Sequence, residues 1–267
     1  MTKGLMPTEP TKPAAPYLGG KSRLAKVIIE KINQVDHKTY VEPFVGMGGI
    51  FLRRNLRPRS EVINDFNKEL ATFYRILQRH YPQFMETLKF QISSRAEFER
   101  LRQTDPETLT DLERAGRFLY MQRLAFGGKV TGNFGVSPDR GGRFNITNLG
   151  PMLDDIHSRL AGVVIECLSY QDLIKRYDRD ETLFYLDPPY HGGEKDYGKG
   201  MFERADFERL ADMLANIKGQ FILSINDVPE IRDIFGQFEM EEVSLNYSVA
   251  KDGATKAKEL IISNLER

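Results

Sequence analysis

The spacing of apolar positions changes several times along residues 20–79, and each change marks an element. Leu24, Val27, Ile28 and Ile32 recur at helical spacing. "TYVEPFVG" (39–46) is a short apolar strand that stops on an acid, a proline and a glycine turn, and "GGIFLRRN" (48–55) reads as the opening of a helix. "EVIND" (61–65) is a second short strand ending on an acid, and "FNKELATFYRIL" (66–77) returns to helical periodicity. Strand, glycine turn, helix, strand, helix is the start of an α/β sheet, with ligands expected beyond the carboxyl ends of the strands.

Residues 80–161 break that rhythm. "YPQFMETLKF", "RAEFERLRQ" and "DLERAGRFLYMQRLAF" predict three helices, and the glycine-rich stretch from 127 to 150 predicts a hairpin or loop. The α/β rhythm resumes with "VVIECL", the helix "QDLIKRY", the strand "TLFYLD", a helix carrying Phe207, Leu210, Ala211, Leu214 and Ile217, and the strand "QFILSI". "EEVSLNYSV" and "KELIISN" predict a terminal antiparallel hairpin. The organisation predicted is a flexible Pro- and Thr-rich leader at 1–15, an α/β domain formed by 16–79 and 162–267, and a mostly helical insertion at 80–161.

Composition adds exclusions. Lys+Arg and Asp+Glu balance at 38 each, so any basic surface must be local, and a cluster such as Arg53, Arg54, Arg57 and Arg59 reads first as a solvated face. The single cysteine, Cys167, lies in an apolar run that predicts a buried, inert side chain. His37, His80, His157 and His191 lack metal-ligand spacing, so no metal site is expected. No apolar run is long enough to cross a membrane, and the leader lacks a signal core, which predicts a soluble cytoplasmic protein.

Three segments carry candidate chemistry. "PYLGGKSRL" (16–24) approximates a phosphate loop, but Ala15 occupies the leading glycine position and no strand precedes it. In "VEPFVGMGGIF" the glycines Gly46 and Gly48 form a turn, and Asp65 closes the next strand about twenty residues on, where a carboxylate can accept both hydroxyls of a ribose. A helix cap for "FNKEL" is the competing role for Asp65. "FYLDPPYHGG" (184–193) delivers Asp187 at the end of a buried strand. Pro189 restricts Pro188, whose carbonyl then joins Asp187 as a second acceptor, and Tyr190 offers a face for stacking. Two acceptors and a stacking ring suit the exocyclic amine of a planar heterocycle.

"YLGGKSRL", "VEPFVGMGG", "INDFNKEL" and "LDPPY", in this order along the chain, resemble the Dam-type N6-adenine DNA methyltransferases of the alpha group. The resemblance runs from about residue 16 through "RFLYMQRLAFGGKV" and "ECLSYQDLI" to "TKAKELIISN". It implies a class I S-adenosylmethionine-dependent methyltransferase fold, a Rossmann-like sheet with a helical target-recognition insertion. It implies methyl transfer from S-adenosyl-L-methionine to N6 of an adenine flipped out of double-stranded DNA, with no obligate protein partner. Asp187, Pro188, Pro189 and Tyr190 match the catalytic motif, and an Asp at its head favours adenine over cytosine or glutamine. Tyr17, Lys21, Gly46, Gly48, Asp65 and, at the border of the cofactor adenine, Asp172 match cofactor positions. Arg123 and Phe126 match DNA-contacting positions, and Lys129, Arg140 and Arg143 form the basic cluster expected on DNA. Gly127 stands where the family often has asparagine, and the hairpin differs from that of GATC-modifying members, so the recognised sequence is open. The alternatives are a DNA-binding relative without catalysis, against which the intact motifs argue, and an amino-methyltransferase acting on another nucleic-acid substrate.

Overall fold

The computed structural model describes residues 4–17, 19–126, 132–135, 139, 141–193, 202–247 and 255–265. Its centre is a seven-stranded sheet built from β2 (Thr39–Glu42), β4 (Ser60–Asn64), β5 (Val164–Glu166), β6 (Thr182–Leu186), β7 (Gln220–Asn226), β8 (Glu239–Tyr247) and β9 (Thr255–Ser263). Their spatial order is β5-β4-β2-β6-β7-β9-β8. All neighbouring pairs from β5 to β7 are parallel, and β9 alone runs against both of its neighbours. The predicted doubly wound sheet with a terminal antiparallel hairpin is therefore present. The direction of winding reverses between β2 and β6, and the carboxyl ends of those two strands open the crevice where such folds hold ligands.

Alternation along β6 explains how both faces are covered. Leu183 and Tyr185 join one apolar core, whereas Phe184 and Leu186 join the other. The first core receives α1 (Ala25–Gln34), α2 (Lys68–Arg79) and the insertion; the second receives α7 (Tyr170–Tyr177), α8 (Arg204–Leu214) and α9 (Pro229–Ile234). Every residue of β6 is buried, as a central parallel strand requires.

The insertion holds α3 (Tyr81–Leu88), α4 (Arg95–Gln103), α5 (Asp111–Leu124) and α6 (Ile146–Arg159). The first three match the predicted helices; α6 was not among them, and its first turn falls in the glycine-rich stretch expected as hairpin or loop. Pro151 lies in the second turn of α6, and Asn145 caps the helix by accepting from the Thr147 amide. No linker separates the insertion from the sheet domain, since His80 ends α2 and caps α3. Phe73 of α2 meets Phe84 and Phe118 at ring distances of 6.1 and 5.7 Å, so the two parts share one core. Phe118 and Leu119 pack there.

Four further expectations change. The leader is built into the fold from residue 4: β1 (Met6–Pro7) pairs with β3 (Leu56–Arg57), Thr11 N donates to Leu52 O, and Ala14 and Ala15 are buried. Prolines leave this segment extended, with spare carbonyls for other groups to bind. "GGIFLRRN" forms only a 3-10 turn at Phe51–Arg53. Arg54 is fully buried rather than solvated, with its guanidinium over Tyr40 and bonded to Glu61, which also holds Arg159 of α6. Cys167 is exposed, because β5 is an edge strand.

Candidate active site

β2 ends on an acid and β4 and β6 run directly into one, and Glu42, Asp65 and Asp187 all face one cavity of about 420 Å³ at the carboxyl edge of the sheet. That volume suits a nucleoside-sized ligand. Tyr17, Lys21 and Gly46 line the same space.

The glycine turn after β2 is shaped by close approach. Gly46 has φ +50° and Gly48 φ +76°, a region that side chains rarely occupy. A Cβ on Gly46 would lie 3.0 Å from the Tyr17 ring, and one on Gly48 would lie 2.8 Å from Leu52. Tyr74 Oη donates to Gly46 O at 3.0 Å, and Gly46 N donates to Asp65 Oδ2 at 3.1 Å. Asp65 Oδ1 accepts from Asn67 N at 2.9 Å, while the α2 cap is Asn67 itself. Asp65 thus ties the strand end to the glycine turn, and each of its oxygens retains a lone pair for a further donor. Burial raises its pKa to about 6, against two backbone amides that favour the anion.

Around Asp187 the side chains form a closed network. Lys21 Nζ lies 3.1 Å from Asp187 Oδ1 and 3.0 Å from Glu259 Oε2, and donates to Tyr190 Oη at 2.6 Å. Ser224 Oγ, itself 2.8 Å from Tyr185 Oη, donates to Asp187 Oδ1 at 3.4 Å. Among the described residues, the polar contacts of Asp187 fall on Oδ1. Burial pushes the Asp187 carboxyl up to about 6, and the Lys21 ammonium limits that rise. For Lys21 burial works against the charge, but Asp187 and Glu259 outweigh it and hold the ammonium above its ordinary value. Glu42 is 2% exposed and accepts from Tyr40 Oη at 2.6 Å; burial raises it to about 8.

Pro188 and Pro189 are buried and turn the chain out of the sheet, and the turn is fastened to β7 by paired bonds between His191 and Asn226. The Tyr190 hydroxyl donates to Glu259 Oε1 at 2.6 Å, and Lys21 Nζ lies 4.1 Å from its ring centroid. Tyr190 is therefore held by both its hydroxyl and its ring.

Asp172 is not brought into the cavity. It sits exposed in the first turn of α7, where its amide and carboxylate are joined to the Ser169 hydroxyl as a helix cap. Arg123, expected on DNA, is committed to the chain itself: its guanidinium donates to Arg143 O at 2.9 Å and to Ala14 O, which fastens the leader to α5. Phe126 is 71% exposed beside the Ala125–Phe134 bridge, and Arg143 is exposed. Lys129 and Arg140 lie outside the described residues.

The model of the D12 class N6 adenine-specific DNA methyltransferases matches residues 17–249. The chain belongs to that family. Its members methylate adenine N6 in DNA, the activity expected from the motif at Asp187. The chain is also 24% identical over 241 residues to the type II methyltransferase M.CviBI of Paramecium bursaria Chlorella virus NC1A, covering 88% of this chain and 91% of that protein. It is 26% identical to the type II methyltransferase M1.LlaDCHI of Lactococcus lactis subsp. cremoris, with 95% of each chain covered. A DNA adenine methylase of Haemophilus influenzae is 24% identical, with 97% of this chain and 96% of that one covered.

Within this member of the family, three participants in the site are not among the residues assigned from the sequence. Glu42 had a readable signal, since it ends a strand as Asp65 and Asp187 do. Glu259, though inside "TKAKELIISN", and Ser224 had none as site residues, because they reach the site only through the pairing of β9 with β7 and of β7 with β6. Among the described residues no group of three metal-ligating side chains occurs, and no helix is long and apolar enough to cross a membrane.

Proposed function

We propose that this methyltransferase takes its methyl group from S-adenosyl-L-methionine and delivers it to N6 of an adenine extruded from duplex DNA into the space beside Asp187. The single observation that carries this reading is the position of Asp187. It ends β6 at the rim of the cavity that also holds Asp65 and the Gly46–Gly48 turn.

The donor set fits a cationic nucleoside. Three carboxyl groups face the cavity, and Gly46 lets the Tyr17 ring pack directly against the turn that lines it. Asp65 is assigned to the ribose hydroxyls, the backbone of Gly46 and Gly48 to the methionine portion, and Tyr17 to the wall against that turn. Lys21 serves the site through Asp187, Tyr190 and Glu259 rather than as a free cation. When bound, S-adenosyl-L-methionine supplies an electrophilic methyl group.

The residues do the rest. An exocyclic aromatic amine is a weak nucleophile because its lone pair is delocalised, so fixing its hydrogens on two acceptors is the main aid the protein gives. Asp187 Oδ2 and the Pro188 carbonyl are assigned that task, and the Tyr190 ring is assigned to stacking. Extrusion of the base costs a few kcal/mol, returned by these contacts. We assign the insertion at 80–161 to target recognition, with exposed Phe126 filling the space left in the helix and Arg143 on phosphates. Lys129 and Arg140 complete that basic cluster in the proposal.

The test is transfer of labelled methyl from S-adenosyl-L-methionine to adenine-containing duplex DNA. Incorporation at N6 is expected in the wild type and absent in Asp187→Ala, with the circular dichroism of the variant unchanged. Turnover by the variant at the wild-type rate would remove Asp187 from the mechanism.

A further inference from the structure

We propose that Glu259 is a positioning residue for methyl transfer, acting through Lys21 and Tyr190. The inference rests on the reading above. Glu259 is 2% exposed on β9, opposite Asn226 of β7. One of its oxygens accepts from Tyr190 Oη at 2.6 Å, and the other lies 3.0 Å from Lys21 Nζ.

Donor counting shows how tightly the four groups depend on one another. An ammonium has three hydrogens, and Lys21 has three acceptors in reach: Tyr190 Oη, Glu259 Oε2 and Asp187 Oδ1. The single hydroxyl hydrogen of Tyr190 is spent on Glu259. Two carboxylates therefore share one buried cation. Without the Glu259 charge, the ammonium would have Asp187 as its only anion and would close on it. The carboxylate needed by the substrate amine would then be less basic and more occupied. Glu259 keeps Asp187 basic by drawing the lysine away from it.

The groups facing Asp187 are Lys21 ahead of α1, Glu42 on β2, Ser224 on β7 with Tyr185 behind it, and Glu259 on β9. Only Glu259 can be neutralised among them without touching the cavity lining.

The experiment compares wild type, Glu259→Gln and Glu259→Asp. Glutamine keeps the shape and an acceptor for Tyr190 but removes the charge. Its kcat is expected to fall on the order of tenfold or more, with cofactor affinity held within about threefold. The Asp187 carboxyl, followed by carbon NMR in ligand-free protein, is expected to titrate at lower pH in Glu259→Gln and to move back toward wild type in Glu259→Asp. The NMR arm needs no turnover, so an inactive wild type would refute the proposed function and leave this inference decided by the titration. An unmoved Asp187 titration overturns it, as does a kcat equal to wild type. A loss of activity accompanied only by a lower melting temperature marks a structural role and also overturns it. Should Glu259→Gln fail to fold, Tyr190→Phe keeps the ring and removes the link to Glu259; a lower kcat is expected, and an unchanged one refutes the proposal.

Discussion

Replacing Glu42 by glutamine is expected to stabilise the protein at alkaline pH and to leave it unchanged at mildly acidic pH. Glu42 is 2% exposed, and burial raises its pKa from 4.5 to about 8 despite the Tyr40 hydrogen bond and the nearby Arg54 charge. The unfolded chain releases this proton near 4.5, whereas the folded protein holds it to about 8. Between those values the folded state binds more protons, so stability falls as pH rises through the window and levels off above it. At about 1.36 kcal/mol for each pH unit of separation, the ceiling is roughly 5 kcal/mol. Water reaching the carboxyl from the cavity reduces this, and about 2–4 kcal/mol is the working figure. Glutamine retains an acceptor for Tyr40 Oη and has no proton to lose. Urea unfolding followed by circular dichroism at pH 5 and pH 8.5 measures the difference directly. If wild type and Glu42→Gln lose stability in parallel between those pH values, the buried acid is not the source and the reasoning fails.

The remaining expectations concern other parts of the site. Gly48→Ala places a Cβ 2.8 Å from Leu52 and 3.0 Å from Tyr74 Oη at φ +76°, so a loss of about 2–4 kcal/mol is expected. An unchanged melting temperature would show that the turn adapts. Asp65→Ala removes the acceptor of the Gly46 and Asn67 amides and is expected to weaken S-adenosyl-L-methionine binding by at least about tenfold in calorimetry. Equal affinity would confine Asp65 to shaping the turn. Phe126→Ala is expected to raise the KM for duplex DNA without altering the melting temperature, because the ring is 71% exposed. Arg123→Ala is expected to do the reverse, lowering the melting temperature while leaving the salt dependence of DNA binding as it was, since its guanidinium is anchored on Ala14 O and Arg143 O.

Local periodicity made the sheet legible, and its failures share a cause. Helices α3, α4 and α5 announced themselves in the sequence, and the structure adds a Thr110–Glu113 capping box at the head of α5. Helix α6 did not, because a proline in the second turn forfeits a backbone bond that tertiary packing of Leu149, Leu153 and Ile156 offsets. The leader misled for a related reason. Its composition lacks the apolar residues that order a chain by burial, yet its backbone bonds to Asn55, Leu52, Arg123 and Gln122 order it instead. Composition reports what a segment can bury, and says little about what its carbonyls can accept.

The site divides along the same line. Asp65 and Asp187 could be placed from sequence because each ends a strand, and a parallel sheet sends every strand end to the same edge. Arg123 and Asp172 were assigned by motif position, but a charged side chain belongs to whichever partner lies nearest in space. For Arg123 those partners are carbonyls 20 and 109 residues away; for Asp172 the partner is the Ser169 hydroxyl at the head of its own helix. Lys21 combines the two cases. Motif position put it at the cofactor, and the fold gives it three acceptors from the catalytic turn and from β9. Glu259 comes from a strand 238 residues further along the chain, and the β9 register that carries Leu260 and Ile262 into the second core also delivers this carboxylate to the ammonium. A shift of that register by one residue would turn Glu259 to the opposite face and leave Lys21 with Asp187 as its only anion. The antiparallel strand at the end of an otherwise parallel run therefore has an electrostatic consequence at Asp187 as well as a packing one.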